Sequence, residues 1–300
     1  MAAIAAFAAV TLGSISGHVH AQDAATQASA PAPMQQVSIA FAAKAHGAAV
    51  ACGKPIDGLG TTAVTAELRD LRFYVSNVEL IDEAGRAAAL RLAPGEWQTP
   101  EVALIDLADD AGACAQGSTG TNTQVTGQVP QGNYRSLRFT VGVPQAQNHS
   151  SVAAAPQPLD VQAMAWSWQA GRKFLQVEIN PAGGVARAKG NAAPGRSFLL
   201  HLGSTGCKGN PMTGETVACQ RPNRMEVRID GFDPLRQRVV LDLAALYAGS
   251  DLRQDQGGAL GCMSSTTDAE CAPIFHALGI DLQTGQAAAT AQTIFHGEAR

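Results

Sequence analysis

Short runs of alternating apolar and polar residues, each closed by glycine, proline, aspartate or asparagine, set what this chain can fold into. Residues 37–41 alternate apolar with small polar. Residues 68–81 form a longer run with β-branched and aromatic side chains, bounded by Asp82-Glu-Ala-Gly85, and read as one or two strands. Residues 102–107, 134–142, 174–179, 197–202, 225–230 and 238–243 repeat the pattern, with Pro130-Gln-Gly-Asn133 and Gly231-Phe-Asp-Pro234 as turns between them. A period of two buries one face of a strand and exposes the other. Helical periodicity is confined to a turn or two at 244–247 and 272–278. The expected fold is therefore all-β: a single antiparallel β-sandwich or barrel-like domain over residues 37–300, with disulfides and short helical turns.

Six cysteines, Cys52, Cys114, Cys207, Cys219, Cys262 and Cys271, are even in number, and no two have the C-x-x-C spacing of a zinc site. In an exported chain such a set forms disulfides. Local pairing is economical: Cys207 with Cys219 and Cys262 with Cys271, leaving Cys52 with Cys114. The N-terminus points to export. Residues 4–12 are a short apolar run, and Val19-His20-Ala21 resembles a small-x-small cleavage site. Residues 1–21 read as a signal peptide. Residues 22–36, rich in Ala, Pro and Gln, read as a flexible tether. The expected destination is the periplasm or the exterior. A net charge of −4 with no basic block argues against nucleic acid as a partner. No later stretch is long and apolar enough to span a bilayer.

Enzyme motifs are largely absent: there is no G-x-S-x-G, no P-loop and no dinucleotide fingerprint after a strand. Ser204, in Gly203-Ser-Thr-Gly206, reads as a turn residue. His18 and His20 fall in the signal, His46 in a polar turn, and His276 and His296 far from other ligand-type residues. His149 and His201 differ. His149 follows a strong strand at a loop that can aim it into a site. His201 lies inside the apolar run Phe198-Leu-Leu-His-Leu202, where an imidazole must be paired or ligated. Trp166-Ser-Trp168 places two of the three tryptophans at i and i+2, so in an extended segment both indoles face one side. That is the pattern of a core pair or of a stacking platform. Trp97 stands apart and reads as structural.

Taken in order, several pieces resemble the MbnP-like copper-binding family, also called metallo-mystery-pair four-Cys-motif proteins. These are relatives of the copper-binding regions of MopE and CorA of methane-oxidising bacteria. The matching pieces are Leu71-Arg-Phe-Tyr-Val-Ser-Asn-Val-Glu-Leu80, Gly132 to Pro144 with Asn148-His149, and Trp166-Ser-Trp-Gln-Ala-Gly-Arg-Lys-Phe174. They continue with His201-Leu-Gly-Ser-Thr-Gly-Cys207, Cys219 with Pro222-Asn-Arg224, and Gly261-Cys-Met-Ser264 near Cys271. The family name implies four cysteines and this chain has six. The resemblance implies that one tryptophan, Trp166 or Trp168, is oxidised to kynurenine by a partner di-haem enzyme similar to MauG. The modified residue would then bind copper with His149 and His201. An indole nitrogen is a poor donor, whereas the aryl amine of kynurenine is a good one. A neutral amine with two neutral imidazoles suits Cu(I), with Cu(II) accessible on oxidation.

Three functions follow as expectations. The first is a copper-binding or copper-delivery protein with no turnover of its own. The second is a copper oxidase or oxygenase using the same residues. The third is a disulfide-stapled carbohydrate-binding or adhesion sandwich, in which Trp166 and Trp168 would be exposed.

Overall fold

The computed structural model describes residues 33–114, 120–166, 171–188, 193–210 and 217–300, with residues 1–3, 213 and 215. Most of the expected signal peptide and tether lies outside the described residues, as does Trp168. In the strand Met34–Ala45, Val37, Ile39, Phe41, Ala43 and Ala45 are buried in strict alternation. This strand starts at Met34, so residues 34–36 pair within the sheet and do not extend the tether.

Two sheets carry the fold. The first runs in the order Phe295–Ala299, Gln237–Asp242, Met34–Ala45, Gln124–Pro130, Arg91–Leu92. The second runs Phe198–Leu202, Leu175–Pro181, Val64–Asp82, Tyr134–Val141, Met225–Asp230, with Val102–Asp106 also paired to the long strand. Pairing is mostly antiparallel, as expected. An exception is Met34–Ala45 against Gln237–Asp242, which is parallel. The run read as one or two strands is a single strand, Val64–Asp82. Its central residues Leu71 to Val75 are buried on both faces, so alternation is lost there.

Four phenylalanines join the sheets. Phe41 and Phe295 come from the first sheet, Phe73 and Phe139 from the second. Each contacts both rings opposite it edge-on, with centroids 5.6–5.7 Å apart. This is the favoured aromatic geometry, and it fills the middle of the sandwich.

The disulfides are Cys52–Cys114, Cys207–Cys219 and Cys262–Cys271, the pairs expected from spacing. Helix Leu243–Tyr247 is capped by the Asp242 side chain, which accepts from the Ala244 and Ala245 amides. Helix Cys271–Leu278 ends at Gly279 in the left-handed conformation. Among the described residues no helix is long and apolar enough to cross a membrane.

Phe41→Ala removes one corner of the aromatic quartet. Its expected cost is about 3–5 kcal/mol, read as a lower denaturant midpoint with an unchanged slope.

Candidate metal centre

The chain leaves the strand Tyr134–Val141, turns through the short helix Gln145–Asn148, and places His149 at its C-terminal end. Residues 147–160 contain no long ladder, so their carbonyls need donors from elsewhere. Arg172 supplies them. It is 1% exposed, and its Nη1 donates to the carbonyls of Gln147, Asn148 and Ser150 at 2.7, 2.8 and 3.1 Å. Its Nε and Nη2 both donate to Leu159 O, at 3.0 and 2.9 Å. The Arg172 amide donates to Asn148 Oδ1 at 3.0 Å. One guanidinium thus brackets His149 on both sides.

The imidazole of His149 is 8% exposed. Its Nε2 lies 3.0 Å from Asn148 Nδ2 and 3.3 Å from Cys219 Sγ. Gly171 makes room for the ring: a Cβ there would sit 3.2 Å from His149 Cε1. Gly171 also pairs in register with Trp166 in a short antiparallel ladder. Trp166 is 4% exposed and packs over Gly203, where a Cβ would lie 2.7 Å from its Cζ3. The structure therefore brings His149 and Trp166 to the two sides of Gly171. Trp168, the other kynurenine candidate, is outside the described residues.

His201 occupies a different setting, although its strand ends beside Gly203. Alternation sends Leu200 and Leu202 into the core and His201 to the opposite face of the sheet. There a row of polar residues crosses four strands in register: His201, Gln176, Arg72 and Asp106. All are nearly buried. His201 Nε2 lies 2.7 Å from Glu178 Oε1, and Arg69 Nη1 lies 3.3 Å from Glu178 Oε2. Arg72 Nε lies 3.0 Å from Asp106 and 3.3 Å from Asp70. Burial lowers the His201 pKa against the opposing pull of Glu178, which keeps the imidazole neutral. Burial, only partly countered by Arg72, pushes Asp70 up to about 6.

Among the described residues, one group of three potential ligand atoms lies within 4.8 Å: His149 with the sulfurs of Cys207 and Cys219. His201 is not part of it. The two sulfurs are bonded to each other across the hairpin Thr205–Lys208 and Ala218–Arg221. As a disulfide they do not offer thiolate donors.

The remaining sequence candidates fall into place. Ser204 is buried and donates to Pro222 O at 2.8 Å, a structural hydroxyl. Trp97 packs against the core. His46, His276 and His296 are exposed. Arg172, Gly171, Gly203 and Glu178 were not singled out from sequence. The first two do lie inside the motif that follows Trp166, which was the available signal.

A family model for MbnP matches residues 34–264. The chain belongs to the MbnP family. The solved structure of MbnP from Methylosinus trichosporium is similar at 40% sequence identity and a TM-score of 0.81, covering 89% of this chain and 99% of that one. No curated protein matches. The match with that MbnP extends over both sheets, and the family model includes His149, Trp166, Arg172 and His201.

Arg172→Met removes the five hydrogen bonds that the guanidinium donates to the carbonyls of Gln147, Asn148, Ser150 and Leu159. A loss of about 3–5 kcal/mol is expected. Arg172→Lys should recover little, because a point charge does not reproduce the planar fork. Chemical denaturation of the two variants checks both statements.

Proposed function

We propose that this chain is an exported copper-binding protein, active in copper acquisition or handling and without turnover of its own. The observation that carries the reading is the placement of His149 and Trp166 on either side of Gly171, in a chain 40% identical to an MbnP. Copper is held by His149, His201 and a kynurenine made from Trp166 or Trp168.

The donor chemistry fits. Both histidines are buried and His201 is neutral by virtue of burial. With the proton on Nε2 directed at Glu178, the lone pair of His201 is on Nδ1. A carboxylate behind an imidazole is the usual way to fix the tautomer of a metal ligand. The amine donor arises by cleavage of the indole C2–C3 bond. Two equivalents of a peroxide-class oxidant insert two oxygen atoms and leave as two waters. Hydrolysis then releases C2 as formate and frees the aryl amine. The oxidising partner is a di-haem enzyme similar to MauG. Such a site presents low net charge to copper, which suits Cu(I).

Burial of Trp166 argues against the carbohydrate-stacking reading, since a stacking platform must be open to solvent. Nothing on the described surface favours an oxidase or oxygenase over simple binding.

Two measurements on protein purified from its native host test the proposal. Peptide mass spectrometry should find one of Trp166 and Trp168 heavier by about 4 Da, the balance of two oxygens gained and one carbon monoxide lost, before any copper ligation. Copper content should fall from one per chain to near zero in His149→Ala and in His201→Ala, with both variants still folded. Two unmodified tryptophans in copper-replete protein would overturn the kynurenine reading. Full copper content in His201→Ala would remove that residue from the site.

A further inference from the structure

The Cys207–Cys219 disulfide differs from the other two in its access to solvent and in the histidine beside it. Both of its cysteines are partly exposed, whereas Cys52, Cys114, Cys262 and Cys271 are buried. Its two sulfurs and a ring nitrogen of His149 lie within 4.8 Å of one another. His149 Nε2 is 3.3 Å from Cys219 Sγ. Two ligands on opposite sides of an ion, each about 2.0–2.3 Å from it, stand about 4.0–4.6 Å apart. The three atoms therefore already share the space of one coordination sphere.

Hydrogen bonding fixes which imidazole nitrogen carries the lone pair. The Arg172 amide can only donate, and it donates to Asn148 Oδ1 at 3.0 Å. The Asn148 carboxamide is thereby pinned with its Nδ2 toward His149 Nε2, 3.0 Å away. A carboxamide nitrogen also only donates, so Nε2 accepts and the ring proton sits on Nδ1. The nitrogen beside Cys219 is thus a ready donor, and an entering metal takes the place of the Asn148 hydrogen bond.

The hairpin that carries the sulfurs is held by more than the disulfide. Cys207 and Cys219 face each other in the ladder of Thr205–Lys208 with Ala218–Arg221. Arg221 Nε donates to Thr205 Oγ1 at 2.9 Å, and Ser204 Oγ to Pro222 O at 2.8 Å, which closes the base of the hairpin. Gln145 Nε2 donates to Val217 O at 2.9 Å and ties the helix before His149 to the same hairpin. Opening the S–S bond would let the sulfurs part without releasing them from the histidine.

We propose that Cys207 and Cys219, once reduced, form a three-coordinate Cu(I) site with His149 Nε2. A dithiol reductant supplies the electrons. Its thiolate attacks one sulfur to form a mixed disulfide, and its second thiol then displaces the cysteine. Two electrons and two protons end on Cys207 and Cys219, and the reductant leaves as a disulfide. Cu(I) replaces the two thiol protons and keeps its oxidation state. Two thiolates and an imidazole are a soft donor set, which selects Cu(I) over hard ions. This set uses neither kynurenine nor His201, so it goes beyond the copper site proposed above. His149 belongs to both sets, and reduction therefore offers copper a second hold at the same imidazole.

The test uses the full exported chain produced without any haem oxidase, so that both tryptophans of 166–168 are intact. Limited dithiothreitol is applied and then removed under argon. Iodoacetamide mapping by peptide mass spectrometry should label Cys207 and Cys219 ahead of the other four cysteines. In competition with bicinchoninate, the reduced protein should take up one Cu(I) per chain more than the untreated protein. Blocking the thiols with iodoacetamide, or replacing both by Cys207→Ala with Cys219→Ala, should abolish that gain. His149→Ala should weaken it by at least about tenfold, since even loss of an outer-shell partner costs that much. Equal Cu(I) uptake before and after reduction would overturn the proposal. So would reduction of a buried disulfide first, or an undiminished gain in His149→Ala. With unmodified tryptophans throughout, none of these results bears on the kynurenine reading.

Discussion

A buried guanidinium held by backbone carbonyls fixes where the candidate copper site can be. The segment around His149 forms no sheet, so the carbonyls of Asn148, Ser150 and Leu159 take their donors from elsewhere. Arg172 meets the carbonyls of Gln147, Asn148, Ser150 and Leu159, while its own amide meets Asn148. Arg172 also lies in the short ladder that holds Trp166. One side chain thereby couples the histidine loop to the tryptophan strand. Without it both would still be covalently present, but their spacing would be set by loop entropy rather than by a packed contact.

The second constraint is the division of the larger sheet into two unlike faces. One face carries Leu71, Phe73, Val177, Leu200 and Leu202 into the core. The other carries the row from His201 to Asp106, also nearly buried. A polar layer at that depth is tolerated because its members satisfy one another: Gln176 Nε2 donates to Asp70 at 2.7 Å, and Lys173 Nζ donates to Gln176 Oε1 at 2.7 Å. Glu178 is held below its usual pKa despite burial, by its hydrogen bond with His201 and by the Arg69 charge. This network orients His201 without using both of its ring nitrogens. It explains how a histidine in an apolar strand is kept neutral and directed.

Much of the fold was legible in the sequence because strand alternation and cysteine spacing are local signals. The buried face of Met34–Ala45 and all three disulfide pairs are of that kind. The centre of Val64–Asp82 was less clear, since burial on both faces erases the period of two. At the site, His149, His201 and Trp166 stood out by residue type and setting. Their supports did not. Arg172 acts on carbonyls, which leave no trace in side-chain pattern. Gly171 and Gly203 matter because rings from distant segments press against them. Glu178 shares a face with His201 only once the register of two strands is known.

The proposed function requires one copper ion shared by His149, His201 and the modified tryptophan. Anomalous diffraction at the copper edge, on crystals of protein matured in its native host, tests it most directly. The expected result is a single copper peak at about 2.0–2.1 Å from an imidazole nitrogen of His149 and from Nδ1 of His201, a bonding distance ordinary for imidazole ligands. A peak against the Cys207–Cys219 sulfurs, or one that leaves His201 bound to Glu178 and apart from the metal, would contradict it.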